Sequence, residues 1–219
     1  MAAVIGDLVG SRASLDRRRL HEELSRAIAA VNDLLAPVRP LWITAGDEFQ
    51  GTFATVGEAV QATLLVRVEM WTVCDVRHGI GWGGTTLLDA GAGIEDGPGW
   101  WAARSAIEAA ARSESTSAQR WLRTAYAVAD GAPGGPDPGL VNAALVLRDE
   151  RVSGLSERSV SVLRGLLSHE TQRDVAEELG ISPSAVSQRV RADGLAAIVA
   201  AHDMLGPGRG DEQQEGGDG

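Results

Sequence analysis

The sequence predicts an α+β domain followed by a small all-α domain built as a helix-turn-helix. Short apolar runs that stop at Gly-Asp, first at Gly6-Asp7 and again at Gly46-Asp47, mark strands in the first half. Elsewhere in that half, apolar residues recur at helical spacing. From Leu155 onward only the helical spacing remains, and Gly180-Ile181-Ser182-Pro183 breaks it.

In chain order, Ala2-Ala3-Val4-Ile5-Gly6 reads as a buried strand with Asp7 where it ends and Leu8-Val9-Gly10-Ser11-Arg12 leading away. Leu20, Leu24, Ala27, Ile28, Val31, Leu34 and Leu35 then keep helical spacing until Pro37. A helix that begins just after Asp7 presents its N-terminal amides to a phosphate, and Arg12 is placed to add charge. Arg17, Arg18 and Arg19 read as a solvated first turn.

Leu41-Trp42-Ile43-Thr44 and Gly51-Thr52-Phe53 flank Ala45-Gly46-Asp47-Glu48, the pattern of a β-hairpin with two acids at its tip. If the first strand pairs with this hairpin, Asp7 and Asp47 fall on neighbouring strands, about 4.8 Å apart in backbone. Carboxylates that close repel unless a cation separates them. Hard oxygen ligands favour Mg²⁺, which takes one or two carboxylates and fills its shell with substrate phosphates. The competing interpretation is that both acids only end strands and cap turns.

Thr55-Val56-Gly57-Glu58 has capping-box spacing and starts a helix that runs to Trp71. Over residues 76–84, Val76, His78, Ile80 and Trp82 alternate with Arg77, Gly79, Gly81 and Gly83, so one strand face is nearly bare backbone and invites close approach of a ligand or another backbone. Pro98 opens a helix with Trp100, Ala103, Ile107 and Ala110 on one face and Arg104 beside them. A further helix is expected over residues 119–128. Residues 130–139, with three prolines and four glycines, read as a loop, and a connecting helix over 140–148 follows.

Asp7-Leu8-Val9-Gly10 resembles the first metal motif of the class III nucleotide cyclases, and Gly46-Asp47-Glu48-Phe49 resembles the second, as well as the hairpin of the GGDEF diguanylate cyclases. The stretches Arg77-His78-Gly79-Ile80-Gly81-Trp82-Gly83-Gly84 and Gly99-Trp100-Trp101-Ala102-Ala103-Arg104 are similar to a cyclase strand and helix, in the same order. The whole chain looks most like the SatD family. The resemblance implies a ferredoxin-like, cyclase-like domain with Asp7 and Asp47 on Mg²⁺. A purine nucleoside triphosphate would then lie against Leu8, Val9, Gly10, Ser11, Arg12, Gly46 and Arg104. Trp100 stands where the cyclases carry their transition-state asparagine, and Ile43 where they carry a purine-selecting lysine. With a donor to the developing charge missing, the resemblance implies binding without turnover.

At 219 residues and 22.9 kDa the chain holds one medium domain and one small one. All its basic residues are arginines, which excludes P-loop and Schiff-base lysine chemistry. Cys74 stands alone, which excludes an internal disulfide and a cysteine-based zinc site. No apolar run is long enough for a membrane span and no basic-then-apolar leader is seen, so a cytoplasmic protein is expected. A net charge of −10 argues against a general nucleic-acid binder.

In the second domain Thr171 caps one short helix and Gly180 ends it, and Ser182 caps and Pro183 opens the next. This resembles the DNA-binding modules of sigma factors and many bacterial regulators. Thr171, Ser184, Ser187, Gln188 and Arg191, with Arg189 at the flank, suit phosphate and base contacts. From Leu155 to Leu205, five Arg face seven Asp and Glu, so one module is expected to bind weakly and to work as a homodimer. The expected domains are 1–130 for nucleotide binding, 131–154 as linker and connecting helix, 155–205 for DNA, and 206–219 as a disordered acidic tail. The expected function is a DNA-binding transcriptional regulator that senses a purine nucleotide with Mg²⁺. The alternatives are an active nucleotide cyclase or nucleotidyltransferase targeted by the helix-turn-helix, and a nucleotide-free dimerisation platform.

Overall fold

The computed structural model describes residues 1–11, 16–89 and 94–206, so Arg12 and the tail from residue 207 lie outside the described residues. Its elements are β1 (Ala2–Leu8), α1 (Arg17–Leu35), β2 (Arg39–Ala45), β3 (Glu48–Phe53), α2 (Val56–Met70), β4 (Val76–Trp82), β5 (Thr86–Asp89), β6 (Ile94–Asp96), α3 (Pro98–Ser113), β7 (Thr124–Val128), α4 (Pro138–Ser153), α5 (Glu157–Leu167), α6 (Gln172–Glu178), α7 (Pro183–Ala192) and α8 (Leu195–Asp203). The class is α+β, a sheet followed by helices.

Five strands form one sheet in the order β2-β3-β1-β4-β7. β1 is antiparallel to both its neighbours, and β7 is parallel to β4 at the edge. The period-2 alternation of β1 divides its side chains between two layers. Ala2, Val4 and Leu8 join the core under α1 and α2, whereas Ala3 and Ile5 pack with Trp100, Ala103 and Ile107 of α3 on the opposite face. The hairpin turn works because Gly46 takes φ 64, a conformation that side chains with a Cβ rarely adopt. The capping box at Thr55 and Glu58 forms as expected, and Trp71 ends α2.

The bare face of β4 receives a backbone. A Cβ on Gly79 would stand 2.1 Å from the Ala103 carbonyl oxygen, and one on Gly81 would stand 2.1 Å from that of Gly99 and 2.2 Å from the Ala103 nitrogen. α3 therefore rests directly on the strand, and the glycines set that distance.

Two elements differ from expectation. Residues 119–128 are not a helix: Gln119 sits in a turn and Thr124–Val128 is strand β7. Its five residues pair with β4 from His78–Thr124 to Trp82–Val128, and this long-range ladder overrides local propensity. The β5–β6 hairpin was not anticipated at all.

α4 is longer than the expected connecting helix and docks on the sheet domain. Its Asn142 exchanges hydrogen bonds with the backbone of Tyr126, accepting at 2.9 Å and donating at 2.8 Å. Asp149, fully buried, accepts from the Arg123 and Thr124 amides at 2.7 Å each and sits among Arg67, Arg148 and Asp75. The last helices lean on α2: Gln61 donates to the His202 carbonyl at 2.8 Å, and Arg164 to that of Val68 at 3.0 Å. One apolar cluster runs from the sheet through α2 into α5, α6, α7 and α8.

Candidate functional site

Strand register builds the site. Asp7 on β1 stands opposite Glu48 on β3 and Arg77 on β4, and directly opposed residues share a sheet face. A row of two acids and one base thus crosses three strands on the side that α3 covers. Arg77 donates through Nη1 to both oxygens of Asp7, at 3.2 and 3.3 Å, and through Nη2 to Glu114 at 2.6 Å. Arg104 of α3 grips Glu48 with two parallel bonds of 2.8 Å, the strong fork geometry of guanidinium and carboxylate.

Asp47 occupies the hairpin turn, one residue beyond this row. Buried Ser11 donates its hydroxyl to the Asp47 carboxylate. The chain between Asp7 and Ser11 is held by the segment before β4: the Val9 amide donates to the Asp75 carbonyl at 2.9 Å, and Cys74 Sγ donates to the Val9 carbonyl at 3.2 Å. Leu8 turns into the helical-face core, and Gly10 takes φ 74 to let the chain leave the strand.

Burial pushes the Asp7 carboxyl above its ordinary value; Arg77 opposes this, while Asp47 and Glu48 push the same way. Burial also raises the Cys74 thiol, helped by Asp75, Asp47 and Asp7. The site is therefore acidic and partly desolvated, a setting that a cation relieves. Each carboxylate here already has a partner: Glu48 is held by Arg104, Asp7 by Arg77, and Asp47 by the Ser11 hydroxyl. Among the described residues, no three His, Cys, Asp or Glu side chains form a metal-holding group. A Mg²⁺ held here would need phosphate or water oxygens to complete its shell.

One local expectation fails. α1 does not begin just after Asp7 but at Arg17, and Asp16 accepts from the Arg19 amide at 2.9 Å. The first turn thus satisfies its own amide instead of offering it to a phosphate. Arg17, read as solvated, has Nη2 3.7 Å from the point a Gly46 Cβ would occupy, beside the hairpin turn. Trp100 lies buried in the apolar cluster with Ala3 and Ile5, and its indole Nε1 finds no partner among the described residues.

In the C-terminal helices, Thr171 and Asp174 complete a capping box at α6, and Gly180 at φ 63 ends it. Ser182 accepts from the Ala185 amide at 3.2 Å and starts α7. Val175 and Ala176 of α6 and Val186 and Val190 of α7 face inward. Thr171, Ser184, Gln188 and Arg191 are exposed, and Ser187 and Arg189 are half-buried. Arg189 leans towards α5, donating to Ser159 Oγ at 3.4 Å.

Residues 1–132, more than half the chain, match the SatD family. The chain belongs to the SatD family. Residues 168–192 of this SatD protein match the winged helix-turn-helix DNA-binding family. That match spans α6 and α7, and the described residues after it form helix α8 and no strand. No curated protein matches the chain. No helix among the described residues is long and apolar enough to cross a membrane.

The SatD domain gathers Asp7, Ser11, Gly46 and Asp47 at one end of the sheet, with Arg104 nearby but paired to Glu48. The partners that organise them, Glu48, Arg77 and Glu114, are not among the residues expected at the site. Arg77 was the one long side chain on an otherwise bare strand face, and that signal marked it.

Proposed function

We propose that this SatD protein is a transcriptional regulator that binds DNA through α7 as a dimer and binds a purine nucleotide with Mg²⁺ in its N-terminal domain. The observation that carries the reading is the exposed face of α7, where Ser184, Gln188 and Arg191 project from a helix whose cap and apolar seam dock it on α5 and α6. The second helix of such a pair enters the major groove with its N-terminal part at base edges. Gln188→Ala is expected to relax preference at one base pair by about 1–3 kcal/mol. Arg189→Ala is expected to weaken binding to all sequences and to lower the salt slope by about one. A gel-shift series against the protein's own upstream region at two salt concentrations tests both. No shift of any DNA at micromolar protein would assign the helices to a protein interface.

The order β1-α1-β2-β3-α2-β4, with the pairing β2-β3-β1-β4, supports a ferredoxin-like, cyclase-like reading of the sheet. The acidic pair Asp7 and Asp47 beside buried Ser11 supports Mg²⁺ and a triphosphate. The apolar surroundings of Trp100 and the Arg104–Glu48 pair favour sensing over turnover. A nucleoside triphosphate at a hundredfold excess over its Kd is expected to raise Tm by about 5–10 °C, and only with Mg²⁺ present. Asp47→Asn should remove that shift while leaving the unliganded Tm near wild type. A shift that survives in the variant refutes the site.

A further inference from the structure

Between α2, α4 and α8 lies an apolar cleft of about 740 Å³. Val60 and Leu64 of α2 line it with Leu140 and Leu147 of α4 and Ile198 of α8. Leu140 and Leu147 are 75% and 72% exposed, although Asn142 and Asp149 of the same helix dock it on β7. The volume falls in the range of small-molecule sites, which are mostly apolar with a few placed polar groups.

Charge selects the occupant. Two arginines line the cleft, Arg148 and Arg151. Arg148 is committed: it donates to Asp149 at 2.9 and 3.0 Å, to Thr124 Oγ1 at 2.6 Å and to the Val60 carbonyl at 3.0 Å. Arg151 is exposed and takes part in no ion pair among the described residues, and its Nη2 stands 2.6 Å from where a Gly194 Cβ would be, at the start of α8. His202, also in the lining, is held to about 4 by burial and is neutral at neutral pH. The cleft thus offers an apolar bed with one uncompensated cation at the end where α8 begins, on a chain of net charge −10.

We infer that this cleft binds a single amphipathic organic anion, its aliphatic body on Val60, Leu64 and Leu147 and its carboxylate at Arg151. Because α2 and α4 belong to the sheet domain and α8 packs on α5 and α7, such a ligand contacts both parts of the molecule at once.

The test is calorimetric titration of the full chain with decanoate, decanol and decyltrimethylammonium. Decanoate is expected to bind at one per chain and at least tenfold more tightly than the other two. Arg151→Gln is expected to weaken decanoate about tenfold to a hundredfold, and Ala144→Trp, which plugs the cleft from an exposed position, to abolish binding. Circular dichroism checks that both variants fold. The inference is overturned if decanoate fails to bind, if the three amphiphiles bind alike, or if neither variant changes binding. Sedimentation showing a dimer that Leu147→Glu dissociates would overturn it too, by giving the cleft to a second copy.

Discussion

Asp149→Ala is expected to destabilise the protein by about 3–5 kcal/mol, the cost of removing one partner from a buried ion network. The side chain is fully buried. One carboxylate oxygen accepts two backbone amides at the start of β7, Arg123 and Thr124, at 2.7 Å each. The other accepts from Arg148 at 2.9 and 3.0 Å and lies 3.5 Å from Arg67 Nη1. Arg67 is itself 1% exposed and keeps Asp75 at 2.9 Å and Ser153 at 2.8 Å as its remaining partners. Burial would raise the Asp75 carboxyl, yet Arg67 and Arg123 hold it below its ordinary value, so Asp75 is already charged and gains nothing that replaces Asp149. The variant leaves two amides without acceptors and a buried surplus of positive charge. It also removes one of the links between α4 and β7, leaving those of Asn142 and Arg148. Equilibrium urea unfolding reads the loss directly, and a change under 1 kcal/mol would show that the network contributes little. Asp149→Asn, which retains an acceptor oxygen but loses the charge, should fall between alanine and wild type.

Gly81→Ala is expected to cost about 1–3 kcal/mol by overpacking, a large effect for one added methyl. The new Cβ would meet backbone on two sides, the Gly99 oxygen at 2.1 Å and the Ala103 nitrogen at 2.2 Å. Backbone in a helix cannot turn aside as a side-chain tip can, so α3 must lift from the sheet. α3 carries Arg104, whose two bonds to Glu48 hold one end of the acidic row. The same substitution is therefore expected to loosen the site as well as lower Tm. Gly84, where a Cβ would meet nothing within 4 Å, provides the control: Gly84→Ala should leave Tm within a degree or two of wild type. Equal effects at the two glycines would refute the close-packing account.

The sequence by itself determined the features whose causes are local. Thr55 and Glu58, Thr171, Ser182 and Pro183 cap helices through bonds that span three residues. Gly46 and Gly180 turn the chain because their own φ is positive. The order of a sheet followed by helices, the hairpin and the helix-turn-helix were therefore legible without coordinates, and so were the glycines of β4 as a place of close approach. The tertiary structure alone decided what depends on partners distant in sequence. Thr124–Val128 is a strand because β4 offers a free edge, while its own residues read as easily as helix. Glu48, not Asp47, stands opposite Asp7 because the ladder between β1 and β3 sets that register. Arg67, Asp75, Arg123 and Asp149 meet in one buried cluster although more than eighty positions separate the first from the last. No local pattern announces such a cluster. Each residue looks like an ordinary surface charge until burial removes water and only the others remain to satisfy it.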